Sequence, residues 1–504
     1  MKPFYITTPI YYVNAQPHIG HIYSTLIADV IKRYNLLIEK NTYFLTGTDE
    51  HGLKIAQASE KEGISPKEFT YNISNIFKKS FEKMGFNYDR FIRTTDEDHI
   101  EEVRRLWNIM YEKGDIYMGE YTGWYSISDE TFVPDNMVID GVDLKSNQYC
   151  KIYKETNNKV ERITEKNYMF KLSKYQNQIK EYISKKNFIV PEFRQNEIIK
   201  FLENDINDLS VSRKKSVTSW GIEVPNDPEH IIYVWLDALT NYKTATIQNK
   251  SLFPADIHVV GKDILKFHAV YWIGFLMSCE LPLPSKIVSH GWWLNDGVKM
   301  SKSLNNVVNP IEMVEKYGLD EFRYFLLRES SFENDGNFTE SRIKTVITEL
   351  ANTIGNLACR CLCKKLNPTD YMTNKFILIE EIDINLINEL NMTIKKTNEY
   401  MNIPDIQNYI DTIYHFSQEV NKYITHTEPW VLIKKDMKRF EEVRYNMYES
   451  LRIITLLLSP ILIEKTKIIF EHLQINLNNS EIEYGYFTDK HKIKIEIKPL
   501  FNKI

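Results

Sequence analysis

Strand-like runs alternate with helix-spaced apolar positions along much of this chain, and that alternation restricts its fold more than any other feature. Phe4 to Ile10 reads as a short buried strand. Ile22, Leu26, Val30, Tyr34 and Leu37 follow at helical spacing. Thr42 to Leu45 reads as a second strand, running into a polar turn from Thr46 to Gly52. Strands separated by helices predict a parallel α/β sheet. From about Gly119 to Pro225 the texture changes to aromatics, turns and short β-like runs. The alternation then returns, with Ile257–Val260 and Ile287–His290 strand-like and Ile264–Met277 helical. One α/β domain split by an insert is the simplest arrangement. From Glu340 to Phe470 the pattern is helical, and the tail from Ile475 has no clear period.

Composition closes off several function classes. The chain has 504 residues, enough for roughly three domains. At 43% hydrophobic and 26% charged it is neither wholly disordered nor a disulfide scaffold. No apolar stretch approaches the ~20 residues of a bilayer span, so no membrane association is expected. The net charge of −5 argues weakly against a nucleic-acid binder, yet it leaves room for a local basic face. The five cysteines, Cys150, Cys279, Cys359, Cys361 and Cys363, are too few for a disulfide framework and suggest a reducing compartment. The N-terminus enters a strand almost at once, with no room for a signal peptide or transit segment, so a cytoplasmic protein is expected, the alternative being an import signal that was removed or lies hidden.

Two motifs carry chemistry. His18-Ile19-Gly20-His21 lies between the first strand and the first helix. Such a turn sits at the carboxyl edge of a parallel sheet, where ligands bind. The helix start supplies free N–H groups for phosphate. Gly20 lets a nucleotide lie against the backbone, and both histidines can donate to phosphate oxygens. Taken alone, the two histidines fit helix capping equally well. Lys299-Met300-Ser301-Lys302-Ser303 follows the last α/β strand in a Gly- and Asn-punctuated loop. Its lysines and hydroxyls suit charge developing on pyrophosphate. Taken alone, it fits a solvated basic loop.

Together, some 280 residues apart on a split α/β domain, these motifs resemble the two ATP signatures of class I aminoacyl-tRNA synthetases. Thr8–Asn14, Gly47–Gly52, Tyr233–Ala238, Gly261–Ile264 and Phe267-His268 narrow the resemblance to the methionyl-tRNA synthetase family, from about Phe4 to Pro460. It implies a split Rossmann-like catalytic domain (1–118 and 226–339), an inserted connective domain (119–225) and an all-α anticodon-binding bundle with a tail (340–504). It also implies joining of methionine to ATP, with release of pyrophosphate, and then transfer to tRNA(Met). His18, His21, Lys299 and Lys302 are the implied catalytic groups on the phosphates. Gly20, Gly261, Lys262, Asp263, Met300, Ser301 and Ser303 complete the implied ATP site, and Mg²⁺ comes with ATP. The implied methionine pocket is Ile10, Tyr12, Asp49, Trp235, Ala238, Leu239, Tyr242, Ile264, His268 and Trp272. There Asp49 can pair with the substrate ammonium, aromatics can enclose the thioether, and Tyr242 and His268 could hydrogen-bond the sulfur weakly. Asn356, Arg360 and Trp430 match the anticodon readers, which offer base-edge hydrogen bonds and a stacking face.

The chain departs from its family in two ways. Many members carry cysteine-pair zinc knuckles in the insert, which here holds only Cys150, so no zinc is expected. Cys359, Cys361 and Cys363 read as helix residues on different faces. No C-terminal tRNA-binding barrel follows the bundle, so a monomer is expected. A synthetase for another amino acid, an inactive tRNA-binding paralogue and a small-molecule adenylyltransferase are the competing readings. The pocket pattern, the intact motifs and the helical region respectively disfavour them.

Overall fold

Tyr, Ile and Thr dominate the first strand, β1 (Phe4–Tyr12), and it is buried almost throughout, as a strand covered on both faces must be. In this computed structural model, which describes residues 2–128, 131–133, 135–300, 306–372, 380–476 and 481–501, β1 lies near the middle of a six-stranded sheet. The other strands are β2 (Thr42–Asp49), β3 (Arg90–Arg93), β4 (Ile189–Val190), β5 (Ile257–Gly261) and β6 (Ile287–His290). Every pairing is parallel, in the order β3-β2-β1-β5-β6-β4. The order reverses direction between β1 and β5, and a crevice forms at such a switch point, outside the carboxyl ends of the strands. The register of β1 on β2 slips between Thr7 and Ile10, at Pro9, which has no N–H to give the ladder. Beyond the slip Tyr12 stands beside Asp49.

Two boundaries differ from the sequence reading. The turn expected from Thr46 is strand as far as Asp49. Thr46 and Thr48 are fully buried but satisfied, Thr46 by the Thr8 hydroxyl at 2.7 Å and Thr48 by Glu50 at 2.8 Å, so their polarity disguised a core strand. At Gly47 a Cβ would stand 2.0 Å from the Ile92 carbonyl oxygen, so only glycine lets β3 come this close. The insert is also not one block from 119 to 225. Its long strand starts at Ile116 and another ends at Ile232, while β4 returns to the parallel sheet beside β6. A two-residue edge strand has no period to detect. The remaining insert strands form a four-stranded antiparallel sheet, a three-stranded sheet and a two-stranded arm, Val138–Val142 with Tyr149–Tyr153.

The helices that matter for the site are α1 (Ile19–Leu37), α2 (Glu97–Glu112), α3 (Val234–Thr244), α4 (Leu319–Glu329), α5 (Glu340–Leu350), α6 (Asn356–Cys361), α7 (Glu381–Asn402), α8 (Ile406–Thr427), α9 (Pro429–Lys435) and α10 (Met437–Leu458). One apolar core runs from β1 and α1 through α4 into α8 and α10, so sheet and helical region share an interior. The tail reads without period because Glu481–Phe501 is largely coil. It is held by α10, where Arg452 donates to the Glu481 carbonyl at 2.7 Å and Glu449 accepts from the Phe487 N–H at 2.9 Å. No helix among the described residues is long and apolar enough to cross a membrane.

The junction turns on Arg323 of α4, which is fully buried. Its guanidinium donates to Asp29 of α1 at 2.7 Å, to the Met84 carbonyl at 3.0 Å, and to Pro460 and Ile461 carbonyls at 3.0 and 2.9 Å. Arg323→Met orphans three carbonyls and part of a carboxylate. It is expected to cost about 3–5 kcal/mol in urea unfolding. Truncating Lys83, whose pair with Glu315 is at the surface, should cost less than about 1 kcal/mol. Equal costs would show that the junction carries no special load.

Candidate active site

His18 is the N-cap of α1, with extended backbone. Its Nδ1 accepts from the Gly20 N–H at 3.1 Å, and His21 Nδ1 accepts from the His18 N–H at 3.1 Å. This is a capping box built from two imidazoles in place of the usual hydroxyl and carboxylate. The rings stack at 3.8 Å between centroids. A Cβ at Gly20 would meet the His18 ring at 2.9 Å, so glycine is needed for the ring to fold over the turn. Burial, and then the neighbouring His18 ring, hold the His21 pKa well below the usual imidazole range. Each Nδ1 accepts, so each neutral ring carries its proton on Nε2. The turn thus carries an Nε2 proton on each ring, while the His18, Gly20 and His21 N–H groups are already bonded within it. Capping uses the two Nδ1 atoms only, so it leaves the Nε2 protons out of the capping bonds.

Gly261 ends β5, next to β1 across the switch point, and Lys262 and Asp263 follow in a tight turn. Lys299 comes to them through Trp292. Lys299 Nζ stands 3.7 Å and Lys262 Nζ 4.2 Å from the Trp292 ring centroid, and the Trp292 indole donates to Asp263 at 3.3 Å. Asp335 pairs with Lys262 at 2.6 Å and accepts from the Trp292 N–H at 2.8 Å. Met300 packs partly against the core. Ser301, Lys302 and Ser303 lie outside the described residues. Trp292 and Asp335 were missed in the sequence, and an aromatic closely preceding a basic loop was the only available signal.

The other expected cluster also comes together. Ile10 and Tyr12 end β1, and Asp49 ends β2 beside Tyr12. Trp235, Ala238, Leu239 and Tyr242 share one face of α3 at helical spacing. Ile264, His268 and Trp272 recur every four residues after β5, the last two in a π-helical turn of the kind common at functional sites. Tyr242 Oη lies 2.7 Å from His268 Nε2, and His268 Nδ1 lies 2.9 Å from the Ile264 carbonyl. Nδ1 must donate to that carbonyl, so Nε2 accepts from Tyr242. Both protons have acceptors within the protein in this arrangement. Burial pushes the His268 pKa down to about 4, so its ring is neutral. Trp235 stacks on Phe267 at 3.8 Å. Asp237 and His51, beside these residues in sequence, were given no role in the sequence reading.

Asn356 and Arg360 of α6 both reach α8, and Trp430 lies on the next helix, α9. Asn356 Nδ2 donates to Asn421 Oδ1 at 3.1 Å. Arg360 donates to the Asn421 carbonyl and the Thr425 hydroxyl, both at 3.0 Å. Trp430 begins α9 and is 43% exposed, so it is not a bundle-core residue. Of the clustered cysteines, Cys359 and Cys361 lie on α6 and Cys363 just beyond it, and only Cys361 is fully buried. Among the described residues no group of three or more His, Cys, Asp or Glu side chains is placed to hold a metal. In the insert, Asp143 ties its loops together, accepting from the Ser146 N–H at 2.7 Å and the Lys159 N–H at 2.9 Å.

A parallel sheet with a histidine-capped turn at its switch point, a lysine–tryptophan cluster beside the adjacent strand and a helical region sharing its core is the class I aminoacyl-tRNA synthetase fold. The family model for class I tRNA synthetases (M) matches residues 4–362, and the chain belongs to that family. It is 44% identical to a methionine–tRNA ligase of Caldanaerobacter subterraneus subsp. tengcongensis, over 98% of this chain and 78% of that one. It is 39% identical to a probable mitochondrial methionine–tRNA ligase of Dictyostelium discoideum, over 100% and 92%. Mycobacterium tuberculosis methionyl-tRNA synthetase in complex with methionyl-adenylate superposes with a TM-score of 0.93 at 37% identity, covering 99% of this chain and 100% of that one.

Proposed function

We infer that the chain is a methionine–tRNA ligase. It joins the methionine carboxylate to the α-phosphate of ATP with release of pyrophosphate, then passes the methionyl group to the 3′-terminal adenosine of tRNA(Met) with release of AMP. The observation that carries the reading is that the histidine-capped turn follows β1, the lysine–tryptophan cluster includes Lys262 just after the adjacent β5, and the aromatic pocket residues end β1, share α3 or follow β5. His18 and His21 hold the ATP phosphates through neutral N–H donors. Lys299 and Lys302 meet the charge that builds on the leaving pyrophosphate. Gly20, Met300, Ser301 and Ser303 line the phosphates, and Gly261, Lys262 and Asp263 hold the adenosine. Mg²⁺ enters with ATP as part of that substrate.

Ile10, Tyr12, Trp235, Ala238, Leu239, Tyr242, Ile264, His268 and Trp272 form the methionine pocket, with Asp49 on the ammonium. Tyr242 and His268 meet the sulfur with their ring edges. Residues 1–118 and 226–339, with β4, carry activation; the rest of 119–225 forms the inserted lobe; 340–504 reads the anticodon. The enzyme is a cytoplasmic monomer that needs no resident zinc. Elemental analysis should find far less than one zinc per chain, and stoichiometric zinc would refute this.

Asn356 and Arg360 contact base edges and Trp430 stacks on a base. Base–aromatic stacking is worth ~1–3 kcal/mol, so Trp430→Ala should lower kcat/KM for tRNA charging roughly 5- to 150-fold. Pyrophosphate exchange without tRNA should be unchanged. A matching fall in both would place Trp430 in the fold and not in recognition. Methionine- and tRNA-dependent formation of methionyl-tRNA and AMP tests the whole reading.

A further inference from the structure

Asp49, Glu50 and His51 are consecutive, yet the proposed reaction uses only the first. Glu50 accepts from both Arg93 Nε at 2.7 Å and Arg93 Nη2 at 2.8 Å, and from the Thr95 hydroxyl at 2.7 Å. His51 turns to the other side of the site. Its Nδ1 lies 2.6 Å from Asp237 Oδ2. The second oxygen, Asp237 Oδ1, lies 2.8 Å from His99 Nε2, and His99 Nδ1 lies 3.0 Å from the Thr244 hydroxyl. One carboxylate on α3 therefore receives two imidazole N–H groups, one from the loop after β2 and one from α2. Exposure is 5% at His51, 1% at Asp237 and 0% at His99. Trp220 closes the loop from above: its indole donates to the Glu50 carbonyl, and its own carbonyl accepts from the Gly52 N–H at 3.0 Å.

A chain of three titratable groups in the interior is a costly way to fill space, since apolar side chains of like volume pack there at less expense. Orientation is what such a network supplies, because each member's direction is fixed by the next. Burial alone would raise the Asp237 carboxyl; the charge and hydrogen bonds of His51 and His99 outweigh it and hold it below the usual carboxylate range. Asp237 also sits between Trp235 and Ala238, so the helical turn that forms the pocket wall also anchors the loop.

We propose that Asp237, through its hydrogen bond to His51 and with His99 behind it, is a positioning residue that fixes the Asp49 carboxylate for the ammonium of the amino-acid substrate. The strand holds Asp49 from one side, and His51 pins the chain two residues beyond it, so the Asp49 backbone has no slack. This inference rests on the reading of Asp49 as the ammonium partner.

Asp237→Asn keeps the volume but can accept from only one imidazole. In pyrophosphate exchange with the full-length variant, KM for methionine should rise at least tenfold while KM for ATP stays within twofold. The discriminating readout is inhibition by 4-(methylsulfanyl)butanoate, which is methionine without its ammonium. Its inhibition constant should be unchanged, whereas that of methioninol, which keeps the ammonium, should rise with the methionine KM. An unchanged methionine KM overturns the proposal. So does a parallel rise for the desamino compound, because the whole pocket has then loosened. Should Asp237→Asn fail to fold, His99→Phe fills the same space without the hydrogen bond. It should give a smaller rise, about three- to tenfold, with the same discrimination; no rise overturns the proposal. Asp49→Asn in the same assay tests the underlying reading separately. If it leaves the methionine-to-desamino ratio unchanged, the ammonium assignment fails first.

Discussion

His18→Asn should leave the protein folded and lower methionine-dependent pyrophosphate exchange by about 10²–10³-fold, the usual effect of removing one preorganised donor from a developing charge. The choice of Asn separates the two functions of the turn. Asn is among the best N-cap residues, so the bond now made by His18 Nδ1 to the Gly20 N–H has a substitute. The Nε2 proton on the far side of the ring has none. The expected result is an unfolding midpoint close to that of the parent and a large loss in kcat. His18→Ala should lose both, with a capping penalty of about 1 kcal/mol. A His18→Asn protein that keeps its exchange rate would make these histidines helix caps and nothing more.

Asp49→Asn should reduce kcat/KM for methionine about 10²–10³-fold, in line with the ~2–5 kcal/mol lost when one partner of a buried charged pair is truncated. Asp49 is 8% exposed at the end of β2, next to Tyr12 of β1, so water competes poorly for it. KM for ATP should stay within twofold, because His18 and Gly261, the proposed phosphate and adenosine contacts, belong to other strands and the turns after them. Exchange measured over a methionine series gives both constants. A loss shared equally between methionine and ATP would indicate a general collapse of the crevice and would remove Asp49 from the ammonium site.

The central strands and the histidine turn were legible because continuous apolar runs and helical spacing describe β1, α1, β5 and β6 directly. The end of β2 was not, since Thr46 and Thr48 look like turn residues until their buried hydroxyl partners are known. β4 was invisible at two residues, although Ile189 is fully buried. Residues of the crevice could be named by pattern, but what joins them could not. Trp292 reaches Asp263 across 29 positions and Lys262 reaches Asp335 across 73. His51 reaches Asp237 across 186. Long-range pairs of this kind leave no periodic trace. Hydrogen-bond direction was also hidden, because only the Ile264 carbonyl shows where the His268 proton goes.

The most direct test of the account is ATP–pyrophosphate exchange by the purified chain with each of the twenty amino acids in turn, without tRNA. Exchange supported by methionine, with the other nineteen near background, is the predicted result. Strong exchange with a different amino acid would contradict the pocket assignment, and no exchange from folded protein would contradict the activation chemistry itself.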